Sequence, residues 1–304
     1  MAELPQACSR FLGKRAIGVA STQACGLMSA QFESMIKRMQ HGFAARNGLY
    51  GAVLAQRGYV GIKRVFERDY GGFLPVFGEG HNPDYSQITV DLNKRWTTTE
   101  IAIKPYAAMG GLHAGIDAAL VLRQQIGSSV GKPLIDQIKA VRVEVGKAAF
   151  SHGGFEIKRP IEPITAQMSL KYGTSVALLD GGALLDQFSN KRINSDDVWK
   201  LIDKTTICHE DSFDQKPHTS FTTRVTLTLL DGGNFQQLVE TPRGGEDHPL
   251  SNDDIVNKFK NLLKAIADES TSEKICDFVL NLEKQKQMLP MFNLIKEPVK
   301  NALS

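Results

Sequence analysis

The chain has 304 residues, a length that suggests about two domains. Apolar residues make up 42% and charged residues 23%, which excludes intrinsic disorder as the main state and predicts a globular protein. The four cysteines form no CxxC pair, which excludes a disulfide scaffold, and no apolar run reaches the roughly 18 residues of a membrane span. A net charge of +3 is too small to indicate a nucleic-acid partner. We therefore expect neither nucleic acid nor membrane among the partners.

Residues 1–98 are predicted to be mostly helical. Phe11–Met28 is rich in alanine, glycine and serine, which permit close approach of helices. Gln31–Gln56 is predicted to be a longer helical stretch that ends at Arg57-Gly58. Ile62–Glu67 is predicted to be another short helix. These elements would form the first part of a helical domain.

The middle of the chain, residues 99–247, mixes helices with strands. A helix is predicted at about residues 111–126, and a second over Met168–Leu179 that ends at Gly181-Gly182. Ala140–Lys147 alternates apolar and charged residues, the period of a half-buried strand. Asn194 or Ser195 is predicted to cap the next helix.

A β-hairpin is predicted where two alternating runs, Arg224–Leu230 and Phe235–Glu240, flank Asp231-Gly232-Gly233-Asn234. Helix returns after Ser251 or Asn252, and a further helix starts near Thr271. Because the strands gather in one block, the predicted fold class is α+β. The predicted domains are a helical part over 1–98, an α+β domain over 99–247 and a helical return over 248–304.

Common catalytic and metal-binding motifs are absent from the sequence. It has no P-loop, no GxGxxG after a strand, no GxSxG and no HExxH. The seven histidines show no spacing typical of metal ligands, so no metal site is predicted.

Two segments carry cations among small and apolar residues: Met35–Gly48, with Lys37 and His41, and Ile101–His113, with Lys104. They can be read in two ways. Lys37 can be a surface lysine whose stem covers apolar neighbours, and His113 can be a core residue. Alternatively, the segments form a cationic pocket for a carboxylate ligand. Residue types alone leave both interpretations open.

Several runs, taken together and in this order, resemble the MmgE/PrpD family. They are TQACGLMSAQ at Thr22–Gln31, QHGFAARNGL at Gln40–Leu49, YGGFL at Tyr70–Leu74, Lys104-Pro105-Tyr106, AQMS at Ala166–Ser169 and ALLDG at Ala177–Gly181. The match is closest to the fungal cis-aconitate decarboxylase branch and extends over essentially the whole chain. The resemblance implies a helical domain with an inserted α+β lid domain, homodimers, and neither a metal nor an organic cofactor.

The resemblance also implies which residues act. Lys37, Lys104 and His113 match positions that bind the substrate and stabilise charge, and we expect them to be catalytic. Gln40 and His41 are expected to bind substrate, although the family has a histidine where Gln40 stands. Tyr172 matches a tyrosine that lines the cleft, and Met109 stands where the family has another histidine.

The expected activity is decarboxylation of cis-aconitate or a related alkylcitrate-derived tricarboxylic acid in fungal specialised metabolism. Dehydration of 2-methylcitrate or another alkylcitrate is the alternative, because it needs a similar charge pattern. The family's Asp/His segment has no counterpart, so we expect a helical domain incomplete at its amino terminus, and a non-catalytic paralogue is a third reading. Since no targeting segment is visible, we expect a cytoplasmic protein, or a mitochondrial one if the true start lies upstream.

Overall fold

The computed structural model describes residues 6–24, 26–31, 36–127, 133–215, 221–264 and 266–296. Cys25 of the first family-like run and residues 32–35 of the predicted long helix lie outside these ranges. The chain divides into two compact units, Met1–Thr97 and Thr98–Ser304. The division into three parts at residues 98 and 247 stays a prediction.

The first unit is helical. Its α-helices are α1 (Gln6–Ala20), α2 (Gln40–Gln56) and α3 (Phe73–Phe77), and its 3-10 helices include Ser21–Gln23, Met28–Gln31, Ile36–Met39 and Tyr85–Ile88. Helices α1 and α2 pack together closely, as the small residues predict. A Cβ atom on Gly51 would lie 2.6 Å from the carbonyl oxygen of Ala16, so only glycine fits there.

Two helix predictions in this unit need correction. The stretch predicted from Gln31 is not one α-helix, because Ile36–Met39 is a 3-10 helix and α2 starts at Gln40. Its predicted end at Arg57 is confirmed. The helix predicted over Ile62–Glu67 is wrong: residues 63–67 form turns, and Arg64 has φ 55°, a left-handed conformation that interrupts a right-handed helix.

The second unit combines helices with a sheet. Its α-helices are α4 (His113–Ile126), α5 (Leu134–Gln137), α6 (Lys147–Gly153), α7 (Pro163–Met168), α8 (Leu170–Asp180), α9 (Asn190–Ile193), α10 (Asp196–Ile202), α11 (Asn252–Leu263), α12 (Glu269–Leu280) and α13 (Leu289–Leu294). The strands are β1 (Ile138–Val145), β2 (Thr205–His209), β3 (Thr223–Leu229) and β4 (Asn234–Val239). This combination of helices with a sheet in the middle block confirms the predicted mixture.

The sheet has the order β2-β1-β3-β4, with β1 parallel to β2 and the other neighbours antiparallel. The strand predicted near 140–147 and the predicted hairpin are both confirmed. Val143 on β1 opposes Ile207 on β2 and Val225 on β3. Apolar residues of β1 and β3 face the core, where α4 packs on β3 and β4 and α8 packs on α4 and β2. One face of the sheet is therefore covered by helices.

Helix ends in this unit follow the predicted signals. Gly181, left-handed at φ 74°, ends α8. Ser195 occupies the predicted position before α10, but its hydroxyl donates to the Arg192 carbonyl and makes no cap hydrogen bond to the helix. The hydroxyl of Ser251 accepts a hydrogen bond from the main-chain N–H of Asp254, whose carboxylate accepts one from the main-chain N–H of Ser251. This reciprocal cap fixes the start of α11.

In the ranges that the structure describes, no helix has the length and apolar character needed to cross a membrane.

Candidate functional site

Lys104 and His113 meet at one backbone carbonyl in the second unit. The Nζ atom of Lys104, an exposed residue, donates to the carbonyl oxygen of Ala108 at 3.4 Å. The Nε2 atom of His113, the first residue of α4, lies 3.2 Å from the same oxygen. Because a carbonyl oxygen only accepts, Nε2 must carry the proton. The structure thus brings together two of the three predicted catalytic residues.

The environment of His113 keeps its imidazole neutral at neutral pH. The residue is 3% exposed, and its ring and that of Tyr106 meet in a T-shaped arrangement with centroids 5.4 Å apart. Burial lowers the pKa of His113 to about 4, and the positive charges of Lys104 and Lys258 add to this effect. The hydrogen bond to Ala108 and the charge of Asp117 act in the opposite direction but are outweighed.

The segment of residues 103–109, which carries Lys104, is hydrogen-bonded to a buried carboxylate, that of Asp117. The hydroxyl of Tyr106 donates to Oδ1 of Asp117, and Oδ2 of Asp117 accepts the main-chain N–H of Arg243 at 2.9 Å. Burial, followed by the charge of Asp117, raises the pKa of Tyr106. Tyr106 therefore stays protonated and serves as a fixed donor to Asp117.

Further hydrogen bonds hold the backbone of residues 103–109 in place. The Nε2 atom of Gln167 donates to the Ala107 carbonyl at 2.8 Å, and the Gln167 carbonyl accepts from the N–H of Met109 at 2.9 Å. The N–H of Ile103 donates to the carbonyl of Gly244 at 2.7 Å, and Nζ of Lys258 donates to the carbonyl of Lys104.

Sequence reasoning did not assign these supporting residues. Gln167 lies in one of the family-like runs, which marked its position without a role. Asp117 and Lys258 sit within helices and look like ordinary polar residues in the sequence. Their contacts join residues far apart in the chain, and no local pattern encodes such a pairing.

The first unit contains a mostly apolar cavity of about 720 Å³. Phe43, Phe66 and Phe73 line it together with the amide side chains of Gln40 and Asn47. The Nε2 atom of Gln40 donates to the Leu27 carbonyl at 3.1 Å. None of the lining residues in the described ranges carries a charge, so this cavity by itself offers no cation to a carboxylate.

The other predicted site residues of this unit lie beside the cavity lining. Lys37 belongs to the 3-10 helix before α2 and is partly buried, and His41 is exposed on the first turn of α2. Of the three residues predicted here, the lining therefore includes only Gln40.

Tyr172 lies in the core of the second unit. Its side chain is 0% exposed, its ring packs against Phe188, and its hydroxyl donates to the carbonyl of Gln187. Burial raises the pKa of Tyr172. For this hydroxyl to donate a hydrogen bond to a substrate carboxylate, its bond to Gln187 would have to break.

His209, Asp211 and Asp214 form a cluster that the histidine spacing did not predict. One potential ligand atom from each lies within 4.8 Å of the others. The Nε2 atom of His209 is 2.6 Å from Oδ2 of Asp214, whose Oδ1 accepts the main-chain N–H of Lys147. The hydrogen bond from Lys147, followed by that from His209, lowers the pKa of Asp214. These contacts tie the end of β2 to the start of α6 and account for the cluster without an ion.

Family models match both units of the chain. The model of the MmgE/PrpD N-terminal domain matches residues 13–86, and the model of the MmgE/PrpD C-terminal domain matches residues 106–284. The second match, which includes His113 and begins two residues after Lys104, alone covers more than half of the chain.

Individual relatives have fungal and animal sources. The cis-aconitate decarboxylase-like protein oryM of Aspergillus oryzae is 39% identical over 300 residues, covering 95% of this chain and 62% of that protein. A cis-aconitate decarboxylase of Aspergillus terreus is 39% identical over 295 residues, covering 95% and 60%. The human cis-aconitate decarboxylase is 26% identical over 301 residues, covering 96% and 60%. The chain thus spans about 60% of the length of these relatives.

Proposed function

Because the chain belongs to the MmgE/PrpD family, we propose that it is a carbon–carbon lyase that decarboxylates cis-aconitate or a related alkylcitrate-derived tricarboxylic acid. The observation that carries the proposal is the 39% identity, over 95% of the chain, to a fungal cis-aconitate decarboxylase.

The first requirement of this reaction is to bind an anion that carries several carboxylates. Lys104 and His113, whose side chains meet at the Ala108 carbonyl, suit this requirement. Lys104 is exposed and cationic, and it can form charge-assisted hydrogen bonds to a carboxylate. His113 is neutral at neutral pH and already donates to Ala108. We therefore assign the charge to Lys104 and give His113 the role of orienting the segment that carries it.

The second requirement is stabilisation of the electron pair that remains when CO2 leaves. The bond between carbon and the departing carboxylate breaks, and its electrons spread into the allylic system and a neighbouring carboxylate as a dienolate. A cation near that carboxylate lowers the barrier, since its charge matches the charge that develops. A general acid then returns one proton to carbon, which gives the unsaturated dicarboxylic acid.

The proposal retains Lys37 as a catalytic residue and Gln40, His41 and Tyr172 as substrate-binding residues, each to be tested individually. It includes neither a metal nor an organic cofactor, and it includes a homodimer, a lid role for residues 99–247 and a cytoplasmic location. The family resemblance supports the dimer and the lid.

The test is to incubate the purified chain with cis-aconitate and with alkylcitrate-derived acids, and to follow CO2 release. We expect Lys104→Met and Lys37→Met to lower kcat/KM by about 100-fold or more. Lys158→Met, which removes an exposed lysine on a loop, is the matched control and should act like the wild type.

The same experiment separates the alternatives. Loss of water from an alkylcitrate without CO2 release would identify a dehydratase instead. A folded sample that turns over none of these acids would overturn the proposal in favour of a non-catalytic protein.

A further inference from the structure

Lys258 contacts the proposed active-site segment from a distant part of the chain. It lies in the middle of α11, and its Nζ atom donates to the main-chain carbonyl of Lys104. The side chain of Lys104 itself donates to the carbonyl of Ala108, four residues further along the chain. Two ammonium groups therefore bind two carbonyls, those of Lys104 and Ala108, in one short stretch of backbone.

The surroundings of Lys258 differ from those of an ordinary surface lysine. The residue is partly buried, burial lowers its pKa, and within the described residues it has no carboxylate partner. Withdrawing an ammonium group from water without an acidic partner is unfavourable, so its position needs a reason. The hydrogen bond to the Lys104 carbonyl supplies one.

Lys258 completes a set of hydrogen bonds along residues 103–107. The N–H of Ile103 is held by the carbonyl of Gly244 at 2.7 Å, and the N–H of Ala107 by the carbonyl of Ala183 at 3.0 Å. Between these points, the Lys104 carbonyl is held by Lys258. Loss of Lys258 would leave the residue that carries the proposed catalytic ammonium without this restraint.

We propose that Lys258 is a positioning residue, which fixes the backbone at Lys104 so that Lys104 and His113 converge on Ala108 and Lys104 presents its ammonium group to a carboxylate. This role rests on the proposed function for the identity of the ligand. The restraint itself concerns only the backbone and can be measured without turnover.

The test compares the wild type with Lys258→Met, Lys258→Arg and Lys260→Met in the full chain. Methionine keeps an unbranched side chain but removes the donor, and arginine restores a cationic donor. Lys260 is exposed on the same helix, so Lys260→Met is the matched control. Amide hydrogen exchange over residues 101–110 and calorimetric binding of propane-1,2,3-tricarboxylate are measured for each protein.

We expect Lys258→Met to speed exchange over residues 101–110 and to weaken tricarboxylate binding by about tenfold. Exchange in β1 should be unchanged, which would show that the variant is folded. Lys258→Arg should recover most of both losses, a rescue that a simple packing role would not produce. Where the wild type releases CO2, kcat/KM should follow the same order.

The outcomes separate this inference from the proposed function. A wild type that releases no CO2 overturns the activity, while the exchange measurement still decides the role of Lys258. Exchange over residues 101–110 that is the same in Lys258→Met and Lys260→Met overturns the positioning role, whatever the activity.

Discussion

The imidazole of His113 is neutral in the folded chain because the residue is buried beside two lysines. Its pKa is about 4 in the fold and 6.5 in the absence of these surroundings. As the pH falls from about 6.5 towards 4, the unfolded chain therefore takes up a proton that the folded chain excludes. The free energy of unfolding should decrease over this window by up to about 3 kcal/mol from His113 alone.

Urea denaturation at pH 7 and pH 4.5 measures this effect. His113→Gln should reduce the difference in unfolding free energy between the two pH values. His152→Gln, at an exposed histidine on α6, should leave that difference as in the wild type. An equal pH dependence in all three proteins would contradict a buried, neutral His113.

A Tyr172 variant can test whether this residue stabilises the core, as its burial indicates, or binds substrate, as its family position implies. Its hydroxyl serves the carbonyl of Gln187, so Tyr172→Phe should lower the free energy of unfolding by about 1–3 kcal/mol. Urea denaturation measures this loss. The KM for cis-aconitate, measured in parallel, decides the substrate contact: an unaltered KM would remove Tyr172 from the substrate-binding set.

At the level of elements, the turn at Gly244 determines where the segment before α4 can lie. Gly244 has φ 99°, and a Cβ atom there would lie 2.0 Å from the carbonyl oxygen of Ile103. Gly244→Ala should therefore strain the turn, move Ile103 and destabilise the chain by about 1–3 kcal/mol. The neighbouring Gly245 has no atom within 4 Å of its Cβ position, so Gly245→Ala is a matched control.

Urea denaturation and amide exchange over residues 101–110 measure the effect of both glycine variants. A Gly244→Ala variant as stable as Gly245→Ala would show that this turn adapts without moving Ile103.

Elements whose signals are local were predictable from the sequence. The hairpin around Asp231–Asn234 and the cap at Ser251 depend on residues within a few positions of one another, and both are present. The helix predicted over Ile62–Glu67 failed, because Gly61 packs on α1 at distances that exclude a side chain and Arg64 is left-handed. That outcome depends on tertiary packing, which periodicity does not register.

The candidate site likewise has one part that the sequence predicted and another that depends on contacts between distant residues. The family-like runs marked Lys104 and His113, and the structure joins both to Ala108. The contact between Lys258 and Lys104 spans 154 positions, so no spacing rule could have predicted it. The neutral state of His113 likewise depends on burial, which the residue type alone left undecided.

At the scale of the whole molecule, the two units bury very different amounts of apolar surface. The second unit has a continuous core that extends from Tyr106 to Leu229 along the chain. In the described part of the first unit, the buried apolar residues are few: Val19, Ala30, Ala55 and Val65. Since apolar burial is the main stabilising contribution to folding, the first unit should be the less stable of the two.

Helices α2 and α8 allow a direct comparison of the two units. Helix α2 buries only Asn47, Gly51 and Ala55 and leaves Leu49, Tyr50 and Val53 exposed. In α8, eight of the eleven residues are buried: Leu170, Tyr172, Gly173, Thr174, Ser175, Val176, Ala177 and Leu178. Opening α2 exposes little new apolar surface, whereas opening α8 disrupts the core. After correction for intrinsic rates, amides of α2 should exchange at least about 100-fold faster than those of α8 in native-state hydrogen exchange. Equal protection of the two helices would contradict this ordering and would mean that the units unfold together.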